Sequence, residues 1–270
     1  MIYLHKFVFS IIRIILSLYN SKNASSELTF ISKTVQLGND LLGRGSSGIL
    51  LEDEVKQLKV FLNKKINIAI DVGANVGSYS DMLLSNFDIK KLYLFEPSQE
   101  AFSSLKLKYE NFGNVKVINE GLSNKNETVF LYADTKGSSR SSIYNRELSH
   151  FNIEFNITEK AKLIRFDEFY KSELDNKTVD LLKLDIEGHE LFALQGSLES
   201  LKSIKVIQFE FGGCNIDSKT YFQNFFYFFK TNDFDIFRIR PNGLIQIKRY
   251  KETEEHFQYS NYFAVNNKLI

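Results

Sequence analysis

The chain has 270 residues, of which 43% are hydrophobic and 25% charged, as expected for a folded domain with a substantial core. Lys and Arg number 34 and Asp and Glu 33, so the formal net charge is +1. This balance argues against a general nucleic-acid-binding protein, which needs excess positive charge to displace counterions from phosphates. The single cysteine, Cys214, excludes an intramolecular disulfide and a cysteine-rich zinc site.

The N-terminal segment, residues 2–19, is mostly apolar but contains Lys6 and Arg13. On a helix these two residues share one narrow polar stripe. A charge inside the apolar run argues against a transmembrane helix, and no signal-peptide cleavage site follows. Two interpretations stay open: the helix packs on the rest of the protein or on a partner subunit of a homo-oligomer, or it makes peripheral contact with a membrane surface. The polar stretch over 20–26 predicts a linker, which divides the chain into segments 1–26 and 27–270.

From about residue 50, short apolar strands alternate with amphipathic helices, which is typical of a parallel sheet covered by helices on both faces. The pattern predicts strands over residues 66–71, 92–96, 115–119, 128–133, 162–166, 179–185, 204–210, 234–240, 244–248 and 262–265. It predicts helices over residues 52–62, from about 77, and over 102–112, 191–201 and 221–229. The predicted fold class is therefore α/β, Rossmann-like, with a mostly parallel seven-stranded sheet and an N-terminal helical extension.

The first motif, "IDVGANVGSYS" over 70–80, carries Asp71 to the end of a strand and then turns through Gly73, Asn75 and Gly77. Glycines permit the tight turn and a close approach of a ligand to the backbone. An acid placed before the turn would repel a pyrophosphate, but it suits the ammonium group of S-adenosylmethionine. The carboxylate of that ligand could meet backbone N–H groups at the helix start.

A second acid, Glu96, ends the next predicted strand. A carboxylate at this position accepts hydrogen bonds from both ribose hydroxyls of a bound nucleoside. The succession of strand, acid, glycine turn, helix, strand and acid therefore predicts a site for an adenosyl ligand.

The second motif, "LLKLDIEGHE" over 181–190, places Asp185, Glu187, His189 and Glu190 where a strand should end and a helix should begin. In an open parallel sheet this edge is the ligand-binding edge. Methyl transfer to an alcohol benefits from a base that removes the hydroxyl proton, and the cluster supplies candidates. We predict that it works without a metal. The alternatives are carboxylates that cap a helix, or a divalent cation held by the three acids.

Two rival functions follow from the same residues. A dinucleotide-dependent oxidoreductase or epimerase would need the spacing G-x-G-x-x-G, whereas this chain has G-x-N-x-G. A non-catalytic module that binds the adenosyl ligand or a saccharide would not need the whole second motif. For the serine-rich loop over 137–142, with Arg140 and Arg146, three interpretations stay open: it covers the acceptor, it binds an anionic group such as a sugar nucleotide phosphate, or it is a solvated loop.

Together the motifs resemble the FkbM family of methyltransferases. The matching stretches are "DVGANVG" at 71–77, "FEP" at 95–97, "GLSN" at 121–124, "LKLDIEGHE" at 182–190 and "FEF" at 209–211. The resemblance covers roughly residues 66–211.

The resemblance implies a class I methyltransferase fold, S-adenosyl-L-methionine as the methyl donor, and methylation of an oxygen on a sugar or another secondary metabolite. By carry-over, the residues that hold the cofactor are Asp71, Gly73, Asn75, Gly77 and Glu96, with Glu120, Gly121 and Ser123 near the adenine. Those that face the acceptor are Asp185, Glu187 and His189. We therefore predict an O-methyltransferase for a saccharide, glycolipid or secondary-metabolite acceptor in polysaccharide biosynthesis, located in the cytoplasm or at the inner membrane surface. Acceptor specificity is expected in the flanking segments outside the motifs.

Overall fold

The computed structural model describes residues 24–45 and 50–270. In this part of the chain the strands are β1 (Lys65–Val72), β2 (Asp88–Phe95), β3 (Val115–Ile118), β4 (Gly121–Ser123), β5 (Glu127–Ala133), β6 (Ile157–Arg165), β7 (Val179–Leu184), β8 (Ile204–Phe211), β9 (Phe234–Arg240), β10 (Gly243–Gln246) and β11 (Ser260–Asn266). The α-helices are α1 (Ala24–Leu41), α2 (Leu51–Gln57), α3 (Ser78–Asn86), α4 (Gln99–Lys108), α5 (Phe166–Glu173), α6 (Glu190–Gln195), α7 (Cys214–Ser218) and α8 (Phe222–Thr231).

The central sheet has eight strands in the order β10-β9-β11-β8-β7-β1-β2-β3. The five strands from β8 to β3 pair in parallel, while β11, β9 and β10 are antiparallel to their neighbours. The predicted α/β class and the mostly parallel sheet are confirmed. The predicted count of seven strands is wrong, because β10 pairs with the edge strand β9 and adds an eighth.

The middle of the sheet is buried on both faces, which explains the continuous apolar runs in the sequence. Every residue of β7 is buried, as are the last five of β1. Since β1, β2 and β7 run in parallel, their carboxyl ends meet at one edge of the sheet. Asp71, Glu96 and Asp185 are thereby collected at that edge, as the sequence predicts.

A second, three-stranded sheet with the order β4-β6-β5 stands beside the first. Strand β4 pairs in parallel with β6, and β5 pairs with β6 in antiparallel fashion. The strands predicted over 128–133 and 162–166 thus exist, but they belong to this smaller sheet.

Two helices differ from expectation. The helix predicted over 191–201 ends at Gln195, and Leu198 beyond it is 53% exposed instead of packed on the sheet. Helix α1 is absent from the sequence prediction, and its first residues occupy the end of the predicted linker. The predicted helix over 2–19 lies outside the described residues. No described helix combines the length and apolarity needed to cross a membrane.

The segment after α1 is fastened to the antiparallel side of the sheet by backbone contacts. The hydroxyl of Ser260 donates to the carbonyl of Gly43 at 2.8 Å, and the Gly45 N–H donates to the carbonyl of Tyr259 at 2.8 Å. Helix α2 contacts the same antiparallel strand, since Glu54 accepts from the Asn261 amide on β11 at 2.7 Å.

The core on one face of the sheet is aromatic. Phe209 on β8 is fully buried and stacks between Phe225 on α8, at 5.1 Å between ring centroids, and Tyr262 on β11, at 5.3 Å. Aromatic pairs contribute specific geometry in addition to area burial. The aromatic run predicted as a buried helix is therefore confirmed as core.

The substitution Phe209→Ala should lower the free energy of unfolding by about 3–5 kcal/mol, because it removes a fully buried ring and leaves a cavity. Urea denaturation followed by circular dichroism measures the change. Phe151→Ala is the control, since Phe151 is 66% exposed and its loss should cost less than about 0.5 kcal/mol. Equal midpoints for the two variants would contradict the assignment of Phe209 to the core.

Candidate active site

Two connected cavities open at the carboxyl edge of the sheet. The larger has a volume of about 540 Å³ and lies between helix α2, the glycine turn and the ends of β7, β8 and β11. The smaller, about 60 Å³, lies between Glu96, Gly121 and the serine-rich loop. Both are lined by Gly73, Asn75, Ser139 and Asp185, so these four residues form the boundary between them.

The backbone of the glycine turn packs closely against the carbonyl of Asp185. Gly73 has φ +80°, and a Cβ there would lie 1.9 Å from the carbonyl oxygen of Asp185. Its N–H donates to the carbonyl of Phe95 at 3.0 Å, which holds the turn to the end of β2. Asn75 also has a positive φ, of 47°, and its side-chain amide donates to the carbonyl of Gly137 at 3.1 Å.

Beneath the turn lies a buried ion-pair network. The Asp71 carboxylate is fully buried, accepts from the Ser80 hydroxyl at 2.7 Å and lies 3.2 Å from the Lys183 ammonium. The same ammonium lies 3.1 Å from Asp185. Burial alone would lower the pKa of Lys183, but the charges of Asp185 and Asp71 raise it above its ordinary value. Lys183 therefore stays charged between the two acids.

Glu96 forms the polar wall of the smaller cavity. One carboxylate oxygen accepts from the Asn75 N–H at 2.8 Å, and the other accepts from the Ser98 N–H at 2.9 Å. Burial raises the pKa of Glu96 to about 7. Gly121 also lines this cavity, and a Cβ on Gly121 would lie 2.6 Å from Leu163. Any larger residue at 121 would therefore reduce the space beside Glu96.

The second motif joins the sheet to the serine-rich loop. Glu187 accepts from Arg146 at 2.6 Å, and its backbone carbonyl accepts from the Ser142 hydroxyl at 3.0 Å. Burial and the neighbouring Asp185 raise the pKa of Glu187 to about 7, against the lowering effect of Arg146. Arg146 also binds Asp217 at 3.0 Å, so its guanidinium is engaged by two carboxylates.

His189 lies between two hydroxyl groups. Its Nδ1 is 3.0 Å from the Tyr144 hydroxyl and its Nε2 is 3.0 Å from the Ser123 hydroxyl, while its ring stacks on Phe192. Burial lowers the pKa of His189 to about 4, so the ring is neutral at physiological pH. With both nitrogens engaged, the ring fixes the loop and β4 relative to the motif.

Two further acids of the site are buried. Glu190 accepts from the backbone N–H groups of Ile186 and Gly188 with a single oxygen, Oε1, and so closes the turn of the motif. Burial raises the pKa of Glu190 to about 8. Burial and the charges of Asp185, Glu187 and Glu190 raise the pKa of Glu210, at the end of β8, well above its ordinary value.

Several predicted cofactor residues line neither cavity. Asp71 is enclosed by Lys183 and Ser80, which does not fit the predicted direct contact with an ammonium group. Gly77 begins helix α3 against Tyr109, whose hydroxyl donates to its carbonyl at 3.0 Å. Glu120 forms an ion pair with Lys162 away from the cavities. Ser123 is buried against His189 and reaches the site only through that ring.

The three acids of the predicted alternative metal site do not gather. Among residues 24–45 and 50–270, no group of three or more His, Cys, Asp or Glu side chains has the arrangement of a metal site. Glu187 is occupied by Arg146, and Glu190 by backbone N–H groups.

Sequence reasoning missed four residues of the larger cavity: Glu54, Lys183, Gln208 and Asn261. Lys183 could have been found, because a lysine inside the apolar strand "LLKLD" needs a buried partner. Glu54 and Asn261 are separated by 207 positions and carry no local motif. No pattern along the chain shows that they meet.

Comparison with known proteins assigns the family. The model of the methyltransferase FkbM domain matches residues 71–253, which is more than half of the chain. The chain belongs to the FkbM methyltransferase family. A curated protein named Methyltransferase 1, from Beauveria bassiana (strain ARSEF 2860), is 23% identical over 185 residues, which are 60% of this chain and 74% of that protein.

Solved structures resemble the FkbM chain more distantly. A methyltransferase FkbM from Methylobacillus flagellatus KT is 14% identical with a TM-score of 0.48, over 80% of this chain and 48% of that one. The chain therefore spans about half the length of that protein. A protein of Streptococcus mutans described as a putative methyltransferase, solved in complex with S-adenosylhomocysteine, is 13% identical with a TM-score of 0.44, over 80% of this chain and 96% of that one.

Glu190→Gln should reduce the pH dependence of the stability of the FkbM domain. The pKa of Glu190 rises from 4.5 to about 8 on folding, so the folded state binds more protons in this window. The carboxyl group therefore contributes stability that is present below pH 4.5 and is lost as the pH rises through about 8. The glutamine side chain keeps the Oε1 acceptor and cannot ionise, so this loss should disappear.

Urea midpoints at pH 5 and pH 8.5 measure the effect. We expect the free energy of unfolding to fall between pH 5 and pH 8.5 by about 1–3 kcal/mol less in Glu190→Gln than in the wild type. The control is Glu110→Gln at an exposed position, which should follow the wild type. If the free energy of unfolding of Glu190→Gln changes with pH as much as that of the wild type, Glu190 is ionised in the folded protein.

Proposed function

We propose that the chain is an S-adenosylmethionine-dependent O-methyltransferase whose acceptor is a hydroxyl of a saccharide, either free or within a glycolipid or secondary metabolite. The observation that carries this proposal is the position of Asp185 on the boundary of both cavities. A donor in one cavity and an acceptor in the other would meet at this carboxylate.

The residues of the smaller cavity fit an adenosyl ligand. Glu96 is an acceptor at the end of β2, where ribose hydroxyls bind in such sheets. A Cβ at Gly73 would overlap the carbonyl of Asp185 and one at Gly121 would clash with Leu163, so both glycines let the backbone pack closely beside this cavity. At about 60 Å³ the cavity is too small for a nucleoside, so we expect the loop residues 138–143, which cover it, to move outward on binding.

The charges of the site favour a cationic ligand over a dinucleotide. Three carboxylates, from Glu96, Asp185 and Glu187, line the smaller cavity, and its described lining contains no Lys or Arg. A pyrophosphate would be repelled there, whereas a sulfonium would be attracted. We therefore set the dinucleotide-dependent oxidoreductase aside.

The bound cofactor would supply a methyl group on sulfur; transfer forms a carbon–oxygen bond, breaks the carbon–sulfur bond and releases the hydroxyl proton. Asp185 is the base in this proposal, since its side chain is 34% exposed and lines both cavities. The ammonium of Lys183, 3.1 Å away, holds this carboxylate in place. His189 is a positioning residue, because both of its ring nitrogens already contact hydroxyl groups. Alignment of oxygen, carbon and sulfur supplies the rest of the rate enhancement.

Isothermal titration calorimetry with S-adenosylhomocysteine, run beside NAD, tests the cofactor. We expect binding of S-adenosylhomocysteine and none of NAD. Glu96→Ala should weaken the binding about 10- to 100-fold, because charge-assisted hydrogen bonds to the ribose are lost. Glu100→Ala, at an exposed position on α4, is the control and should bind as the wild type. Preference for NAD would overturn the proposed function.

Transfer of label from S-adenosyl-[methyl-³H]methionine to a panel of neutral pyranosides tests the base. Asp185→Asn should lower kcat by about 100-fold or more, as expected for loss of general base catalysis. His189→Asn should lower it less, since that residue acts through the loop. Asp175→Asn, at an exposed ion pair, is the matched control. Full turnover by Asp185→Asn would refute its assignment as the base.

A further inference from the structure

The wall of the larger cavity opposite the glycine turn is built from three side chains of distant segments. Glu54 on α2 accepts from the Asn261 amide on β11 at 2.7 Å and from the Gln208 amide on β8 at 3.2 Å. We name these three residues the Glu54 wall. Glu54 is only 8% exposed and Gln208 only 2%, so the wall is part of the packed structure and not a mobile surface.

The hydrogen bonds of the Glu54 wall fix its orientation. The Tyr79 hydroxyl donates to Gln208 Oε1 at 2.5 Å, which leaves the Gln208 amide nitrogen to face Glu54. The ring of Tyr79 lies 4.7 Å from the ammonium of Lys183, which in turn binds Asp185. A continuous polar surface therefore runs from Glu54 to the carboxylate that we propose as the base. Such fixed polar groups orient a ligand with little loss of entropy on binding.

The charge of the larger cavity disfavours anionic ligands. The charged residues of its described lining are Glu54, Asp185 and Lys183. Lys183 already binds both Asp71 and Asp185, so it offers no free positive charge. The two arginines of the serine-rich loop are also engaged, Arg140 with Asp134 and Arg146 with Glu187 and Asp217. A phosphate or a carboxylate would enter a cavity in which two carboxylates face one ammonium that is already paired.

Two of the three residues of the Glu54 wall lie outside the part of the chain that matches the family. Glu54 precedes and Asn261 follows the matched residues 71–253, whereas Gln208 lies within them. The flanking segments therefore contribute two polar side chains to this cavity of the family domain. Tyr259, 40% exposed and also lining the cavity, provides an aromatic body with a polar tip beside that wall.

From this geometry we infer that the Glu54 wall is the acceptor subsite and that it selects a neutral, polyhydroxylated acceptor over an anionic sugar. This inference rests on the proposed function, since it names the acceptor of the same reaction. Glu54 accepts a hydrogen bond from one hydroxyl of the acceptor, and the amides of Asn261 and Gln208 contact its other hydroxyls. Asp185 receives the proton of the hydroxyl that is methylated.

The test uses the full chain saturated with S-adenosylhomocysteine and two probes that differ in charge, methyl α-D-glucopyranoside and methyl α-D-glucuronide. Saturation-transfer difference NMR titrations measure their binding. Calorimetry measures the affinity for S-adenosylhomocysteine separately. We expect the wild type to bind the neutral glycoside and to bind the glucuronide at least about tenfold more weakly.

Three variants complete the design. Asn261→Ala should weaken the binding of the neutral glycoside about fivefold or more. Measured at pH 8.5, above the pKa of about 7 that burial gives Glu54, Glu54→Gln should also shift the preference toward the glucuronide, because it removes the repelling charge. A merely structural role for Glu54 would not change that preference. Glu52→Gln is the control, since Glu52 lies on the same helix in an exposed ion pair with Lys56. Thermal melting shows that each variant is folded.

Each result decides the inference. Unchanged glycoside binding and unchanged preference in Glu54→Gln and Asn261→Ala would overturn it, as would a wild type that prefers the glucuronide or binds neither probe. Loss of S-adenosylhomocysteine binding in Glu54→Gln would also overturn it, because Glu54 would then belong to the cofactor site. If the wild type itself fails to bind S-adenosylhomocysteine, the proposed function fails, and the acceptor subsite fails with it.

Discussion

The site depends on one buried interaction, the ion pairs that Lys183 makes with Asp71 and Asp185. Asp71 and Lys183 are direct partners in the pairing of β1 with β7, and Asp185 follows two residues after Lys183. Burying an ammonium or a carboxylate without a partner is costly, so each charge here requires the other two. The network therefore fixes how the ends of these two strands sit, and with them the glycine turn on one side and the second motif on the other.

The arrangement above this network is set by shared backbone contacts. The turn at Gly73 fits against the carbonyl of Asp185 so closely that only glycine is allowed, and its N–H is held by β2. Backbone contacts thus hold three strand ends together independently of the side chains that line the cavities. On this frame the serine-rich loop is held by the backbone carbonyl of Glu187, and it closes the smaller cavity while its Ser139 also lines the larger one.

The electrostatics of the two cavities follow from the same frame. The only lysine in the described linings of the two cavities is Lys183. Because its ammonium is paired with the buried Asp71 carboxylate, the carboxylates of the linings determine the local field. That field is consistent with a cationic donor and a neutral acceptor, and it disfavours phosphates in either cavity. Burial raises the pKa values of both Glu54 and Glu96 to about 7.

Local patterns in the sequence specify the succession of strands along the chain, the parallel core, the glycine turn and the acids at the strand ends. These features depend on local periodicity and on turn chemistry, which neighbouring residues encode. Glu96 and Asp185 consequently follow the ends of β2 and β7, as the strand pattern predicts. The eighth strand, by contrast, depends on the pairing of β10 with β9, which local periodicity does not predict.

The directions in which the polar side chains face, and the distant residues that they contact, follow from tertiary packing. Asp71 turns beneath Lys183, because a buried lysine on the adjacent strand needs its charge. His189 becomes a link between Ser123 and Tyr144, since packing brings two hydroxyls to its ring. Glu54 and Asn261 come together because α2 and β11 cover the same sheet edge, and contacts over such separations leave no trace in local sequence.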